Sequence, residues 1–84
     1  MFIIKTHYKA TTANPNFVGE HDWYEGKGGV IIGDRNEFPK AWEVEEYGYK
    51  TYAGAMRGLK AANERAANET SYGFWITTAE LVSC

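Results

Sequence analysis

The segment Gly26-Lys27-Gly28-Gly29 has the glycine and lysine content of a phosphate-binding loop. Such a loop needs the spacing Gly-x-x-x-x-Gly-Lys-Ser/Thr and a following helix whose amides face the phosphate. Neither is found here, because the short apolar run Val30-Ile31-Ile32 follows the glycines. Since glycine adopts positive φ at little cost, the segment predicts a tight turn between two strands.

Histidine and cysteine side chains could bind a metal or act as nucleophiles. Glu20-His21-Asp22 sets an imidazole between two carboxylates, but successive residues of a strand point to opposite faces, so the three cannot converge on one ion. His7 could meet His21 across a hairpin with Cys84 as a third ligand, although no spacing requires it. Cys84 is also terminal, which is a poor place for a rigid nucleophile. We therefore predict no metal, no cofactor and no catalytic residue.

Aromatic side chains beside lysines could stack the bases of a single-stranded nucleic acid. The residues that would do so are Lys5, Tyr8, Lys9, Trp23, Tyr24 and Lys27. Three carboxylates, those of Glu20, Asp22 and Glu25, alternate with the aromatics of the second segment. The aromatics could equally be core residues and cross-strand pairs, which a small sheet needs. Nucleic-acid binding is therefore an alternative function.

A cluster of acidic and tyrosine side chains precedes the predicted helix and consists of Glu43, Glu45, Glu46, Tyr47 and Tyr49. Tyrosine is favoured in protein interfaces because it offers a large area and a hydroxyl. An acidic, aromatic rim can engage a basic surface of another protein, including one that normally holds nucleic acid. The simpler alternative is a solvated strand edge that leads into a helix. We expect this cluster to bind a partner.

Length and composition restrict the class of protein. The 84 residues predict one domain, 1–84, and three Trp, six Tyr and four Phe supply large side chains for its core. The net charge of −2 argues against a general binder of phosphate backbones. A single cysteine, with no signal peptide and no long apolar run, predicts a cytoplasmic protein, in the host cytosol if a phage encodes it.

Most of the chain shows strand patterns. Residues 2–12 alternate with period 2, so that Phe2, Ile4 and Tyr8 face inward while Lys5, His7 and Lys9 face outward. After a turn at 12–16, further strands are predicted at 17–25, 30–32, 41–46 and 74–82, with a surface loop at 33–39.

One amphipathic helix is predicted over residues 51–68, with Thr51 as its N-cap. Its apolar stripe consists of Tyr52, Ala55, Met56, Leu59, Ala62 and Ala66. Gly54 and Gly58 each cost about 1 kcal/mol relative to Ala in a helix, and they leave a thin surface that allows close approach. The elements together predict an α+β fold: an antiparallel sheet of four to five strands with the helix packed on one face, in the order β-β-β-β-α-β.

Part of the chain resembles a strand-to-helix unit of short phage and mobile-element proteins. The matching residues are Trp42-Glu43-Val44-Glu45, Gly48-Tyr49-Lys50-Thr51, Ala53-Gly54-Ala55 and Gly58-Leu59-Lys60. Several small phage inhibitors of host systems, anti-CRISPR proteins among them, are similar compact sheet-plus-helix folds. The resemblance implies a phage-type interaction protein and assigns no functional residue.

These observations predict a non-catalytic inhibitor or adaptor, encoded by a phage or mobile element, that occupies a surface of a host protein or complex. An anti-CRISPR that blocks a nucleic-acid-binding complex is its sharpest form. One alternative is a small single-stranded nucleic-acid-binding protein that uses the sheet aromatics. Another is a structural homo-oligomer, such as a homodimer, formed through an edge strand or the small-residue helix face.

Overall fold

The computed structural model describes residues 1–10, 19–70 and 75–84. In these residues the chain forms four strands and two α-helices: β1 (Phe2–Ala10), β2 (Glu20–Glu25), β3 (Ile31–Ile32), α1 (Ala41–Tyr47), α2 (Tyr52–Thr70) and β4 (Trp75–Ser83). A 3-10 turn, Lys27–Gly29, joins β2 to β3. The turn predicted at 12–16, and the strand residues predicted at 11–12, 17–18 and 74, lie outside the described residues.

The strands form one antiparallel sheet in the order β3-β2-β1-β4. Ile4 of the central strand β1 lies opposite Glu25 of β2 and Leu81 of β4. Residues that lie opposite each other project to the same side of a sheet. The even-numbered residues of β1 therefore share one face with Glu25 and Leu81, and its odd-numbered residues share the other face with Tyr24.

The helix α2 covers the face of Ile4 with alanines. Ala55, Ala62 and Ala66 are buried, and their small side chains let the helix lie close to the strands. The hydroxyl of Thr51 accepts a hydrogen bond of 3.1 Å from the amide of Gly54, which confirms the predicted N-cap.

The apolar stripe predicted for α2 is wider than the face of the helix that is buried against the sheet. The side chains of Tyr52 and Met56 are 59 % and 39 % exposed, respectively. Contact through alanines leaves these longer side chains at the flank of the interface. There Tyr52 meets the ring of Phe2 edge-on, with 5.8 Å between the ring centroids.

The strand predicted at 41–46 is wrong, because these residues form the helix α1. The amide of Val44 donates to the carbonyl of Lys40, and the amide of Gly48 donates to the carbonyl of Val44, at 3.1 and 2.8 Å. The carboxylate of Glu43 accepts the amide hydrogens of Lys40 and Gly33 at the start of the helix. The apparent alternation of Trp42 and Val44 has no structural counterpart, since only Val44 is buried.

The helix α1 covers the second face of the sheet. Val44 packs with Ile3, Tyr24 and Ile32 in one cluster of buried residues. Both Ile3 and Ile4 are consequently buried, at 0 % and 1 % exposure. The prediction that only the even-numbered side of β1 faces inward therefore fails at the start of the strand, where helices cover both faces.

The α+β class, the four-stranded antiparallel sheet and the long helix packed on it are confirmed, while the element order is β-β-β-α-α-β. Neither described helix has the length and apolar character needed to cross a membrane.

Candidate anion-binding cleft

A cleft of about 820 Å³ lies between α2 and the 3-10 turn Lys27–Gly29. Four cationic side chains line it, those of Lys27, Lys50, Arg57 and Arg65, together with one carboxylate, that of Glu25. The whole chain has only nine Lys and Arg against eleven Asp and Glu. The cleft is thus a strongly positive site in a protein of net negative charge.

Three of the four cations have no counter-charge among the residues that the structure describes. Within the described residues, no carboxylate lies within 4.0 Å of the charged nitrogens of Lys27, Lys50 or Arg57. The lysines of the sheet differ, because Lys5 and Lys9 are paired with carboxylates. The described carboxylates of the protein therefore do not neutralise these three positive charges, which remain able to attract an anion.

Arg65 is the fourth cation, and Glu25 holds it at the wall of the cleft. The nitrogens Nη1 and Nη2 of Arg65 lie 2.8 and 3.0 Å from Oε1 and Oε2 of Glu25. Glu25 is 3 % exposed, at the end of β2. A buried carboxylate needs such a partner, and the two-pronged geometry fixes the plane of the guanidinium.

Tyr49 and Gly58 form the middle of the cleft. Two backbone hydrogen bonds between Tyr49 and Phe2, of 2.8 and 2.9 Å, attach Tyr49 to the start of β1. The ring of Tyr49 then lies on Gly58 of α2, where a Cβ would stand 2.6 Å from the ring Cζ and would overlap the hydroxyl. The contact explains why a glycine occupies the middle of this helix.

The glycine turn forms the wall of the cleft that faces α2. The amide of Gly26 donates to the carbonyl of Val30 at 2.8 Å, and Gly28 and Gly29 have φ of +71° and +77°. The predicted tight turn between two strands is thereby confirmed. It brings Lys27 to the same cleft as the arginines of α2, which the sequence did not indicate.

The residues predicted to bind nucleic acid are not brought together. Tyr8 and Trp23 belong to the α2 side of the sheet, whereas Lys5, Lys9 and Tyr24 belong to the α1 side. Tyr24 is buried and meets the ring of Phe38, with 5.2 Å between the ring centroids. Of the six residues in that prediction, Lys27 alone lines the cleft.

The two histidines are also separated. His7 lies on the α1 side, where its Nδ1 is 2.5 Å from Oδ1 of Asp22, while His21 lies on the α2 side. Across residues 1–10, 19–70 and 75–84, no group of three His, Cys, Asp or Glu side chains is placed to hold a metal ion.

Cys84 follows the end of β4, where its amide donates to the carbonyl of Met1 at 2.8 Å. Partial burial raises the pKa of its thiol, and the N-terminal ammonium lowers it by a smaller amount. A raised pKa disfavours the thiolate, which is the nucleophilic form.

The predicted acidic and tyrosine cluster is divided by the helix α1. Glu43 turns inward to bind the amides of Lys40 and Gly33, and Tyr49 belongs to the cleft. Glu45, Glu46 and Tyr47 are exposed. On the same short helix, Trp42 is 57 % exposed.

Sequence reasoning missed Lys50, Arg57, Arg65 and Glu25 as parts of one site. The available signal was a second stripe on α2, in which Gly54, Gly58, Ala61 and Arg65 recur at helical spacing. The described lining of the cleft consists mainly of cations and small residues. Its arrangement can bind an anion by charge and hydrogen bonds.

Comparison with known proteins gives no relative from which a role could be transferred: no family model, curated protein or solved structure matches this chain.

Proposed function

We propose that this protein is a non-catalytic binding protein that holds a phosphate-bearing ligand in the cleft. The observation that carries the proposal is the presence on one cleft of three cations, Lys27, Lys50 and Arg57, that pair with no carboxylate of the described residues. Such a concentration of like charge costs stability through repulsion unless an anion relieves it.

Phosphate is the anion that this set of side chains suits best. Arginine binds phosphate oxygens with a planar fork of N–H donors, and lysine adds a mobile point charge. The cleft volume of about 820 Å³ falls in the range of small-molecule sites, about 300–1,000 Å³. A carboxylate ligand would satisfy the charge but would offer fewer acceptor oxygens.

The test is a titration with pyrophosphate at low salt, followed by amide chemical shifts in NMR spectra. Lys50→Ala/Arg57→Ala is the test variant, and Lys9→Ala/Lys60→Ala is its control, because the control removes the same charge outside the cleft. We expect shifts at Gly28, Gly54 and Gly58. Loss of charge-assisted hydrogen bonds worth about 1.5–3 kcal/mol weakens binding by roughly tenfold or more in the test variant.

If both variants bind pyrophosphate equally weakly, the loss of affinity reflects only the lower net positive charge, and the proposal is contradicted. The absence of any shift in wild-type protein at low salt would contradict it as well, since electrostatic affinity is greatest there.

A second candidate function is the inhibition of a host protein through α1. The observation that favours it is the exposure of Trp42 beside the exposed carboxylates of Glu45 and Glu46. No cation of the described residues pairs with either carboxylate. The complementary partner is a basic surface that normally holds nucleic acid, and an anti-CRISPR would be the sharpest case.

This second candidate is tested by capture from the native host. Trp42→Ala/Glu45→Lys/Glu46→Lys alters the proposed surface, and Glu37→Lys/Glu64→Lys is the matched charge control. Support requires that wild type and control capture a nucleic-acid-binding protein, that added nucleic acid displaces it, and that the triple variant fails. Capture by the triple variant at wild-type yield would contradict the assignment. Glu43 and Tyr49 are left unchanged because both stabilise the fold.

A further inference from the structure

The cations of the cleft form two groups, the first at the start of α2. Nη2 of Arg57 lies 3.9 Å from the position that a Cβ would take at Gly54. The arginine side chain therefore folds back toward the first turn of the helix, where Lys50 and Thr51 also line the cleft. This end carries two positive charges, and neither pairs with a carboxylate in the part of the chain that the structure describes.

The second group lies beside the glycine turn. Nη1 of Arg65 is 3.8 Å from the position that a Cβ would take at Gly29, and Lys27 belongs to the same turn. Since an α-helix rises about 1.5 Å per residue, Gly54 and Arg65 are separated by roughly 16 Å along the helix axis. The two groups therefore lie toward opposite ends of the stretch of α2 that lines the cleft.

The middle of the cleft is neutral. Gly58 and Ala61 lie between Gly54 and Arg65 on α2, and the ring of Tyr49 lies on Gly58, so this part of the cleft presents a phenol ring and small residues. A ligand that uses the whole cleft therefore has anionic groups at both ends and a largely neutral part between them.

We infer that the ligand is a single strand of nucleic acid that runs along α2 and places phosphates at both ends of the cleft. This inference rests on the proposed function, because it identifies the class of the phosphate-bearing ligand. A stacked strand advances about 3.4 Å per nucleotide, so the roughly 16 Å from Gly54 to Arg65 along α2 corresponds to about four or five nucleotides.

The phosphates of a nucleic-acid strand are spaced along its length. Such a strand therefore suits a site with two cationic ends better than a compact polyphosphate does. Sugars and bases would cross the neutral middle, where the ring of Tyr49 offers an apolar contact. The net charge of −2 does not oppose this arrangement, because the negative charges that face the solvent on α1 and on the sheet lie outside the cleft.

The experiment measures affinity against chain length with 5′-phosphorylated thymidine oligonucleotides of one, two, four, six and ten nucleotides at low salt. A ten-base-pair duplex and hexaglutamate serve as competitors. We expect affinity to rise by tenfold or more from one to six nucleotides and then to level off. Arg57→Ala and Lys27→Ala are each expected to remove this gain with chain length, whereas Lys9→Ala, whose lysine lies outside the cleft, keeps it.

The outcomes separate the two claims. Suppose that the mononucleotide binds as tightly as the hexamer and that Lys50→Ala/Arg57→Ala weakens the binding of both equally. The proposal of a phosphate-binding site is then supported, and the inference that the ligand is a single strand is contradicted. Equal competition by the duplex or by hexaglutamate would also refute the strand. If neither pyrophosphate nor any of the oligonucleotides binds, both the proposed function and this inference are contradicted.

Discussion

The phenol ring of Tyr49 lies directly on Gly58 of α2. A Cβ at position 58 would stand 2.6 Å from Cζ of that ring, which no side chain tolerates without a shift of its neighbour. Glycine in a helix costs about 1 kcal/mol relative to Ala. The contact with Tyr49 accounts for a residue that helix propensity alone disfavours.

We predict that Gly58→Ala destabilises the protein, although Ala is the better helix former. Overpacking costs about 1–3 kcal/mol, which exceeds the gain in propensity. Urea unfolding followed by circular dichroism measures the change. The same substitution in a Tyr49→Ala background is expected to be neutral or stabilising, because the obstructing ring is gone. Equal destabilisation in both backgrounds would refute the contact as its cause.

Arg65→Ala is expected to destabilise the protein by about 1.5–3 kcal/mol, the scale of a hydrogen bond to a charged group. The substitution leaves the carboxylate of Glu25, which is 3 % exposed, buried without its cationic partner. Adding Glu25→Gln to this variant is expected to recover part of the loss, because a neutral amide costs less to bury than a charge. Unfolding curves of wild type, both single variants and the double variant test the coupling.

Sequence patterns predicted the elements whose periodicity is long and undisturbed. The strand β1 and the helix α2 could be predicted because the alternation of β1 and the helical spacing of the alanines in α2 each persist over many residues. At 41–46 the pattern is too short to decide, because Trp42 and Val44 fit a strand as well as one turn of a helix. The bonds of Glu43 to Lys40 and Gly33 decide in favour of the helix, and they depend on a residue ten positions away.

The cleft was harder to predict than the fold. Its cations come from a turn, a loop and two positions on α2, and no spacing in the sequence links Lys27 to Arg65. Their proximity follows from the register of β1 with β2, which places Glu25 and the turn after it beside α2. The glycines of α2 were the usable sign, because a Cβ at Gly58 would overlap the ring of Tyr49 and one at Gly54 would stand 3.0 Å from Oγ1 of Thr51.

The thiol of Cys84 is expected to react with iodoacetamide more slowly than the thiol of an unstructured Val-Ser-Cys peptide at pH 8. Partial burial raises its pKa above the ordinary value of 9.0, so a smaller fraction is thiolate at any pH below that value. The rate should continue to rise above pH 9 and should match the peptide in concentrated urea. A folded protein that reacts faster than the peptide would contradict the raised pKa.

Glu43 and Glu45 are carboxylates of α1 that lie two positions apart and have different roles. Glu43→Ala removes the acceptor for the amides of Gly33 and Lys40, at 2.8 and 3.2 Å, and it is expected to cost about 1–2 kcal/mol, as the loss of a helix cap does. Glu45→Ala removes an exposed charge and is expected to change the free energy of unfolding by less than about 0.5 kcal/mol. Urea unfolding of the two variants compares them directly. If both substitutions lower the free energy of unfolding equally, the hydrogen bonds of Glu43 do not stabilise the start of α1. Glu43 would then be assigned to the exposed acidic surface with Glu45 and Glu46.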